Sequence, residues 1–386
     1  MNSATSNRVG IIGVGKLGLA YALCFEQAGM HVIASSYKPD YVTGLQCKRV
    51  DSVEPGIVDL LGQAINITFT TDNHTVIDTC DIIYIMVATP STPNGDYDVS
   101  AVEQVAQDFL SHGSVKDKLV IIGSTVNPGT TARIQCLLQP LAVDVAYCPT
   151  FVAQGAVLDN IKNPHTVSVG TDDSIVYERC CALFRKIMVP DTPIYRMAPL
   201  TAEILKLAGN CHSTMEISFF NMIGQMLINQ GLERDLATAN QYLNFVKRNT
   251  RWKFGFGYGG PCYPRDNRAM VHFANQHSMS YPLGELVDRF NQDHVDFLAG
   301  YLLKSNHDNL PFYFEYLSYK PKVSMFDESH QLKVCKRLLE HGATVWIQKT
   351  KFLPDYIVSD LSCEFKDQIF IVNDIKQPAD VFAINF

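Results

Sequence analysis

The 386-residue sequence predicts an α/β protein: an N-terminal Rossmann-like, doubly wound parallel sheet, a central long-helix domain, and a smaller, degenerate Rossmann-like α/β domain at the end. Three observations predict it. Short apolar runs alternate with amphipathic segments over the first 200 residues, the pattern of strand–helix units in a parallel sheet. The glycines of "RVGIIGVGKLG" (8–18) fall directly after the first of those runs. An apolar segment beginning at Pro199 breaks the alternation, which resumes near residue 305.

In order, strands are expected at 8–13, 31–35, 81–88, 118–124, 144–148 and 166–170, with helices between them such as 16–28 and 100–112. "PLTAEILKLAGNCHSTMEISFFNMIGQMLINQG" (199–231) opens on Pro199, suited to a first turn, and ends on Gly231, suited to a C-cap. Its apolar positions recur at three-to-four spacing, so it reads as one long buried helix. It needs cover on more than one face, which implies a homodimer built on this helix or burial between two domains. The tail expects a strand (312–319), a helix (327–341, stopped by Gly342), a strand (344–348) and two short apolar runs. The domains are placed at 1–198 (cofactor), 199–305 (helical, with the cysteine loop) and 306–386 (short α/β).

Composition narrows the function classes. The chain is 47% apolar and 18% charged, an ordinary soluble globular balance. A formal charge of −7 without any Lys/Arg run argues against nucleic acid. The 11 cysteines form no CxxC pair and no Cys/His cluster at zinc spacing, so they read as reduced thiols without a metal site. No apolar stretch approaches a membrane span and the start lacks an export signal, so a cytoplasmic location is expected.

Two glycine-rich loops carry the chemistry. In the first, Gly13 permits a tight turn, Gly15 lets backbone approach a pyrophosphate, and Gly18 lets helix pack on strand. With Val14, Lys16 and Leu17 they would hold a dinucleotide at a helix N-terminus. The acidic residue expected to grip the ribose 2′-hydroxyl is absent, and Ser36 stands in its place. Ser36 could bond the hydroxyl, which favours NAD; with Lys38 it could also tolerate a 2′-phosphate, which leaves NADP open. The second loop is "KFGFGYGGPCYPRD" (253–266), which is either a glycine-rich turn around a buried cysteine or a frame that presents Cys262 as a nucleophile.

This loop resembles the form GxGGxCxPKD of the UDP-glucose/GDP-mannose dehydrogenase family, at Gly257, Gly259, Gly260, Cys262, Pro264 and Asp266, with Arg265 in place of lysine. "AEILKLAGN" fits the family's A-E-x-x-K-x-x-x-N helix at Lys206 and Asn210, and "VATPSTPNGDYDVSAV" (87–102) and "STVNPGTT" (124–131) fit loops that hold its nicotinamide. The resemblance implies a nucleotide-sugar substrate whose CH₂OH is oxidised twice, to a carboxylate, and a homodimer. It implies Cys262 as the nucleophile that captures the aldehyde and Lys206 and Asn210 as donors to the developing oxyanion. Asp266 would help remove a proton or cap its helix, and Thr125 would position a water. Thr89, Pro90 and Thr125 would contact the cofactor, and Phe151, Lys206, Asn210, Phe254, Gly255, Gly259 and Lys320 the substrate. The glycines would let backbone press close to the sugar.

The sequence departs from that family at several positions. Thr150 and Gln154 stand where the PEFLxEG segment has glutamates, and Thr166 replaces the arginine of NPxR. A glutamine holds a water but cannot take its proton, and general-base help is typically worth ~10²–10⁴ in rate. Thioester hydrolysis is therefore expected to be impaired unless Glu203 or Asp266 substitutes. "YKPKVSMFDESHQL" resembles the nucleotide-side motif FKPxTDDxRES at Lys320, Pro321, Glu328 and Ser329, but Asp327 replaces its arginine. A catalytically impaired homologue that binds cofactor or nucleotide sugar is the alternative reading.

Overall fold

A computed structural model describes residues 7–112, 115, 117–246, 252–373 and 381–384. They divide into two compact units, 1–206 and 207–386.

The first unit carries β1 (Arg8–Ile12), α1 (Lys16–Gln27), β2 (His31–Ser35), α2 (Pro39–Gln46), α3 (Ile57–Gln63), β3 (Ile67–Thr70), α4 (Asn73–Thr79) and β4 (Ile82–Ile85). It continues with α5 (Ser100–His112), β5 (Leu119–Ile122), α6 (Thr130–Leu138), β6 (Asp144–Tyr147), α7 (Val157–Lys162), β7 (Val167–Gly170), α8 (Ser174–Phe184) and β8 (Ile194–Met197). The eight strands stand in the order β3-β2-β1-β4-β5-β6-β7-β8. Pairing is parallel except between β6 and β7, which meet antiparallel at Tyr147 and Gly170. The six expected strands all form. β3 and β8 were not anticipated, and they are the two edges of the sheet. An edge strand has one neighbour, so "ITFT" and "IYRM" keep polar residues and lack the continuous apolar run that marks "LVII" at the centre, every residue of which is buried.

Helix α9 (Pro199–Asn229) is the long helix, and it runs through the boundary between the units. It ends as expected at Gly231, whose φ is +69°. The Leu232 N–H reaches Leu227 O at 2.9 Å and the Gly231 N–H reaches Ile228 O at 2.9 Å, which satisfies carbonyls the helix leaves unpaired.

The second unit adds α10 (Leu236–Val246), α11 (Tyr263–Gln276), α12 (Pro282–Ser305), β9 (Phe312–Phe314), α13 (His330–Glu340), β10 (Val345–Gln348), α14 (Asp355–Glu364), β11 (Ile369–Val372) and β12 (Phe382–Ala383). Its parallel sheet runs β11-β10-β9-β12. The strand expected at 312–319 stops at Phe314, and the helix expected from 327 begins at His330, where the Ser329 hydroxyl accepts the Leu332 N–H. One apolar core takes Leu298 and Leu302 from α12, Phe312 and Phe314 from β9, and Val334 and Leu338 from α13. No helix among the described residues is long and apolar enough to cross a membrane.

Candidate dinucleotide and thiol sites

In the first unit, β1 lies between β2 and β4, where the strand order reverses; ligands of such sheets bind outside the strand ends at that point. Gly13 turns the chain there with φ of +97°. Its N–H and that of Val14 donate to Ser35 O at 3.0 and 2.8 Å. A Cβ on Gly13 would come within 2.6 Å of Val87 N, and one on Gly18 would overlap the Gly13 carbonyl. Gly15 differs: nothing lies within 4 Å of where its Cβ would stand. It is the N-cap of α1, which has no side-chain cap and no acidic residue in its first turn. Open space in front of uncapped N–H groups, those of the turn holding Lys16 and Leu17, fits a pyrophosphate.

Around this loop the structure joins two of the expected residues. The buried Thr89 hydroxyl donates to Thr125 O at 2.7 Å, and Ser124 Oγ donates to Val87 O at 2.7 Å, which ties the loop after β4 to the loop after β5. Pro90, next along, is exposed. Ser36 follows β2 directly; its N–H donates to Thr70 O at 3.1 Å and its hydroxyl accepts the Lys38 N–H at 3.4 Å. The Lys38 ammonium lies 5.5 Å from the Tyr37 ring centre.

On α9, Lys206 is only 6% exposed, and its ammonium stands 4.6 Å from the ring centre of Phe151, a partly exposed cation–π pair. Gln154 is half-buried three residues beyond Phe151, Thr150 is buried, and Thr166 is spent on Pro193 O at 3.2 Å. Glu203 does not stand in for the missing glutamates. It is fully buried, and its carboxylate accepts Gly129 N–H at 2.6 Å, Thr131 N–H at 2.7 Å and the Thr131 hydroxyl at 2.6 Å. It therefore caps α6 from outside that helix. Burial pushes its carboxyl above the ordinary range, against those hydrogen bonds.

In the second unit, Cys262 is exposed and is itself the N-cap of α11. A thiol at a helix N-terminus is favoured as thiolate. Asp266, one turn in, is buried and accepts the Asn210 carboxamide N–H, so the structure brings these two expected residues together. A second thiol, Cys211, donates to Asp266 O at 3.6 Å; burial, then the Asp266 charge, pushes it up to about 12, so it stays protonated. Phe254 is 3% exposed and packs on Gly224 in the core, which corrects its expected place against substrate. The loop glycines are also corrected. A Cβ on Gly257 would overlap Asn291 Oδ1 and the His330 ring, one on Gly259 the Glu328 carbonyl, and one on Gly260 would come within 2.8 Å of the Tyr319 ring. Their smallness is used by neighbouring protein.

The segment 319–332 is equally committed to the fold. Gly260 N–H donates to Asp327 O at 2.8 Å. Glu328 pairs with Arg268 and with Lys333, the latter at 2.9 Å; burial would raise its carboxyl, but the two cations hold it at about 2. The Ser329 hydroxyl also donates to Leu317 O at 2.6 Å. Lys320 is half-buried, its ammonium 5.6 Å from the Tyr319 ring centre.

Sequence reading missed the polar side chains that hold the cysteine loop: Asn221, Asn240, Asn291 and His294. Asn291 and His294 sit at i and i+3 among buried positions of α12, and an amide and an imidazole on an apolar face are the signal that was available.

The chain matches the UDP-glucose/GDP-mannose dehydrogenase family, NAD binding domain, over residues 7–188, and the central domain of the same family over residues 200–293. It is 26% identical over 294 residues to the UDP-glucose 6-dehydrogenase TuaD of Bacillus subtilis, covering 74% of this chain and 63% of that one. It is 27% identical over 352 residues to the GDP-mannose 6-dehydrogenase of Pseudomonas putida, covering 87% and 79%. The solved UDP-glucose dehydrogenase of the archaeon Pyrobaculum islandicum superposes with a TM-score of 0.81 at 25% identity, covering 97% of this chain and 88% of that one. The chain belongs to the UDP-glucose/GDP-mannose dehydrogenase family, as a divergent member.

Proposed function

We propose that the chain oxidises the C6 alcohol of a UDP- or GDP-hexose to the uronate in two NAD-dependent steps, through covalent capture at Cys262. One observation carries this reading: an exposed thiol at the N-cap of α11, on a loop clamped by its own unit. The dinucleotide would sit on Gly13, Val14, Gly15, Lys16, Leu17 and Gly18, with Ser36 toward the ribose. A bound nicotinamide accepts the hydride released at each oxidation. The Cys262 thiolate adds to the aldehyde carbon, and the resulting thiohemiacetal can release its hydride as its oxygen forms the thioester carbonyl, whereas a bare aldehyde would have to leave an acylium ion. Its oxidation leaves a thioester, and water breaks the C–S bond to release the acid and the thiol. Lys206, with its charge held in a largely buried position, and the second N–H of the Asn210 amide would stabilise the negative oxygen. Phe151, Gly255 and Lys320 would line the sugar nucleotide.

Hydrolysis is the slow step in this scheme. Gln154 orients water without deprotonating it, Glu203 is committed to α6, and Asp266 is left as the carboxylate beside Asn210. The same losses favour a second reading, a homologue that binds ligands without turnover. On α9, Leu205, His212, Phe219 and Met226 are exposed at intervals of seven, a stripe suited to a homodimer. Domains at 1–198, 199–305 and 306–386 and a cytoplasmic location complete the proposal. The test is stoichiometric: incubate the protein with NAD or NADP and a panel of UDP- and GDP-sugars, and count reduced cofactor per sugar. Two equivalents support it, and dinucleotide binding without turnover of any sugar supports the second reading.

A further inference from the structure

We propose that Asn291, assisted by Asn221 and His294, is a positioning residue that fixes the direction of the Cys262 thiol; this rests on the catalytic reading of Cys262 given above. The loop from Gly255 to Cys262 has no strand partner among the described residues, so its backbone polar groups must be satisfied elsewhere. The Asp327 carbonyl takes the Gly260 N–H, and buried side chains hold the stretch before it. Asn291, 7% exposed, accepts the Tyr258 N–H at 2.9 Å and donates to the Tyr258 carbonyl at 2.9 Å, as a neighbouring strand would. Asn221 accepts the Gly255 N–H at 3.0 Å. His294 donates from Nε2 to the Gly255 carbonyl at 2.8 Å, while its Nδ1 accepts from the Gln225 amide at 2.7 Å. That pair of bonds requires the neutral ring with its proton on Nε2. Gly257 leaves the space into which the Asn291 oxygen fits. The clamp thus reaches back to α9 and α12, and the chain leaves it four residues after Tyr258, at Cys262. A loop held only by its ends would let the thiol swing. A displacement of about 1 Å can cost on the order of 10²-fold in rate.

The test separates positioning from folding. Asn291→Ala is compared with Leu361→Ala, a core change on α14 in the same unit. Two readings are taken on the full chain: kcat and KM for sugar oxidation, and the rate at which iodoacetamide alkylates Cys262 at neutral pH, read by peptide mass spectrometry. Asn291→Ala is expected to lower kcat at least about tenfold with KM within about twofold, and to slow Cys262 alkylation at least about threefold as the thiol loses its helix-end position. Asn221→Ala, which removes one bond, gives the same two changes at smaller size and serves if Asn291→Ala does not fold. Leu361→Ala lowers thermal stability and moves neither reading. Alkylation of Cys262 that is unchanged or faster in both Asn variants overturns the proposal. Because alkylation needs no sugar, that result stands apart from a failure of the wild-type chain to oxidise any substrate.

Discussion

The chain contains two glycine-rich loops that each open a helix, and they use their glycines in opposite ways. Before α1, Gly15 faces empty space, while Gly13 and Gly18 are pressed against protein. Before α11, Gly257, Gly259 and Gly260 are all filled by side chains or backbone of the same unit. Composition is alike, but the first loop leaves room for a ligand and the second makes a rigid mount for one side chain. A run of glycines in a sequence therefore does not say whether the vacated volume belongs to substrate or to protein. Only the neighbours decide it.

Breaking each loop should produce different failures. The largest effect is expected from Cys262→Ser, which should reduce the second oxidation at least about a thousandfold while dinucleotide affinity stays within about twofold. Unchanged acid yield in that variant would remove the thiol from the chemistry. Next, Gly15→Val should weaken dinucleotide binding at least about tenfold, measured calorimetrically, with thermal stability almost unaltered. Gly257→Ala should do the reverse: about 1–3 kcal/mol of stability lost to overpacking against Asn291 and His330, with dinucleotide affinity retained. If both variants lose affinity and neither loses stability, the contrast between the loops is wrong.

Glu203→Ala sharpens the comparison within the first unit. It should cost about 1–3 kcal/mol in chemical denaturation because the donors it caps on α6 are left buried and unmatched. Acid titration makes the matching test in the second unit. Burial, against the hydrogen bond to Gly255, holds His294 at about 4, below its ordinary 6.5. As pH falls below 6.5 the unfolded chain takes up this proton first, so native stability declines down to about pH 4 and then levels. Relative to His294→Gln, the wild type should lose on the order of 3 kcal/mol over that window, and a gap constant with pH would contradict the buried neutral ring.

Much of this was legible in the sequence, for physical reasons. Central strands are buried on both faces and show as apolar runs; Pro199 and Gly231 bracket α9 because a helix start tolerates a missing N–H and a helix end tolerates positive φ. The edge strands β3 and β8 lacked that signal. The Gly13–Gly18 loop was readable because its spacing encodes a tight turn from strand into helix. The cysteine loop was half-readable: its exposed thiol was singled out, but its glycines and Phe254 were assigned to the sugar. Their partners, Gly224 on α9, Asn291 on α12, His330 on α13 and Tyr319 and Glu328 in the segment before α13, are distant along the chain, and a long-range contact leaves no local pattern. Glu203 misled for the same reason, since the helix a carboxylate caps is invisible along the chain.

The central claim is that an oxidised sugar becomes bonded to the sulfur of residue 262 before acid is released. With Gln154 standing where the family motif has a glutamate, the proposed scheme has that acyl adduct persist. Rapid quenching of a single turnover, followed by mass spectrometry of the peptide that holds Cys262, should find the mass of the nucleotide-sugar acyl group on that cysteine, with two equivalents of reduced cofactor per occupied site. Two equivalents of reduced cofactor and free acid, with Cys262 unmodified at every time point and its Ser variant equally active, would contradict it.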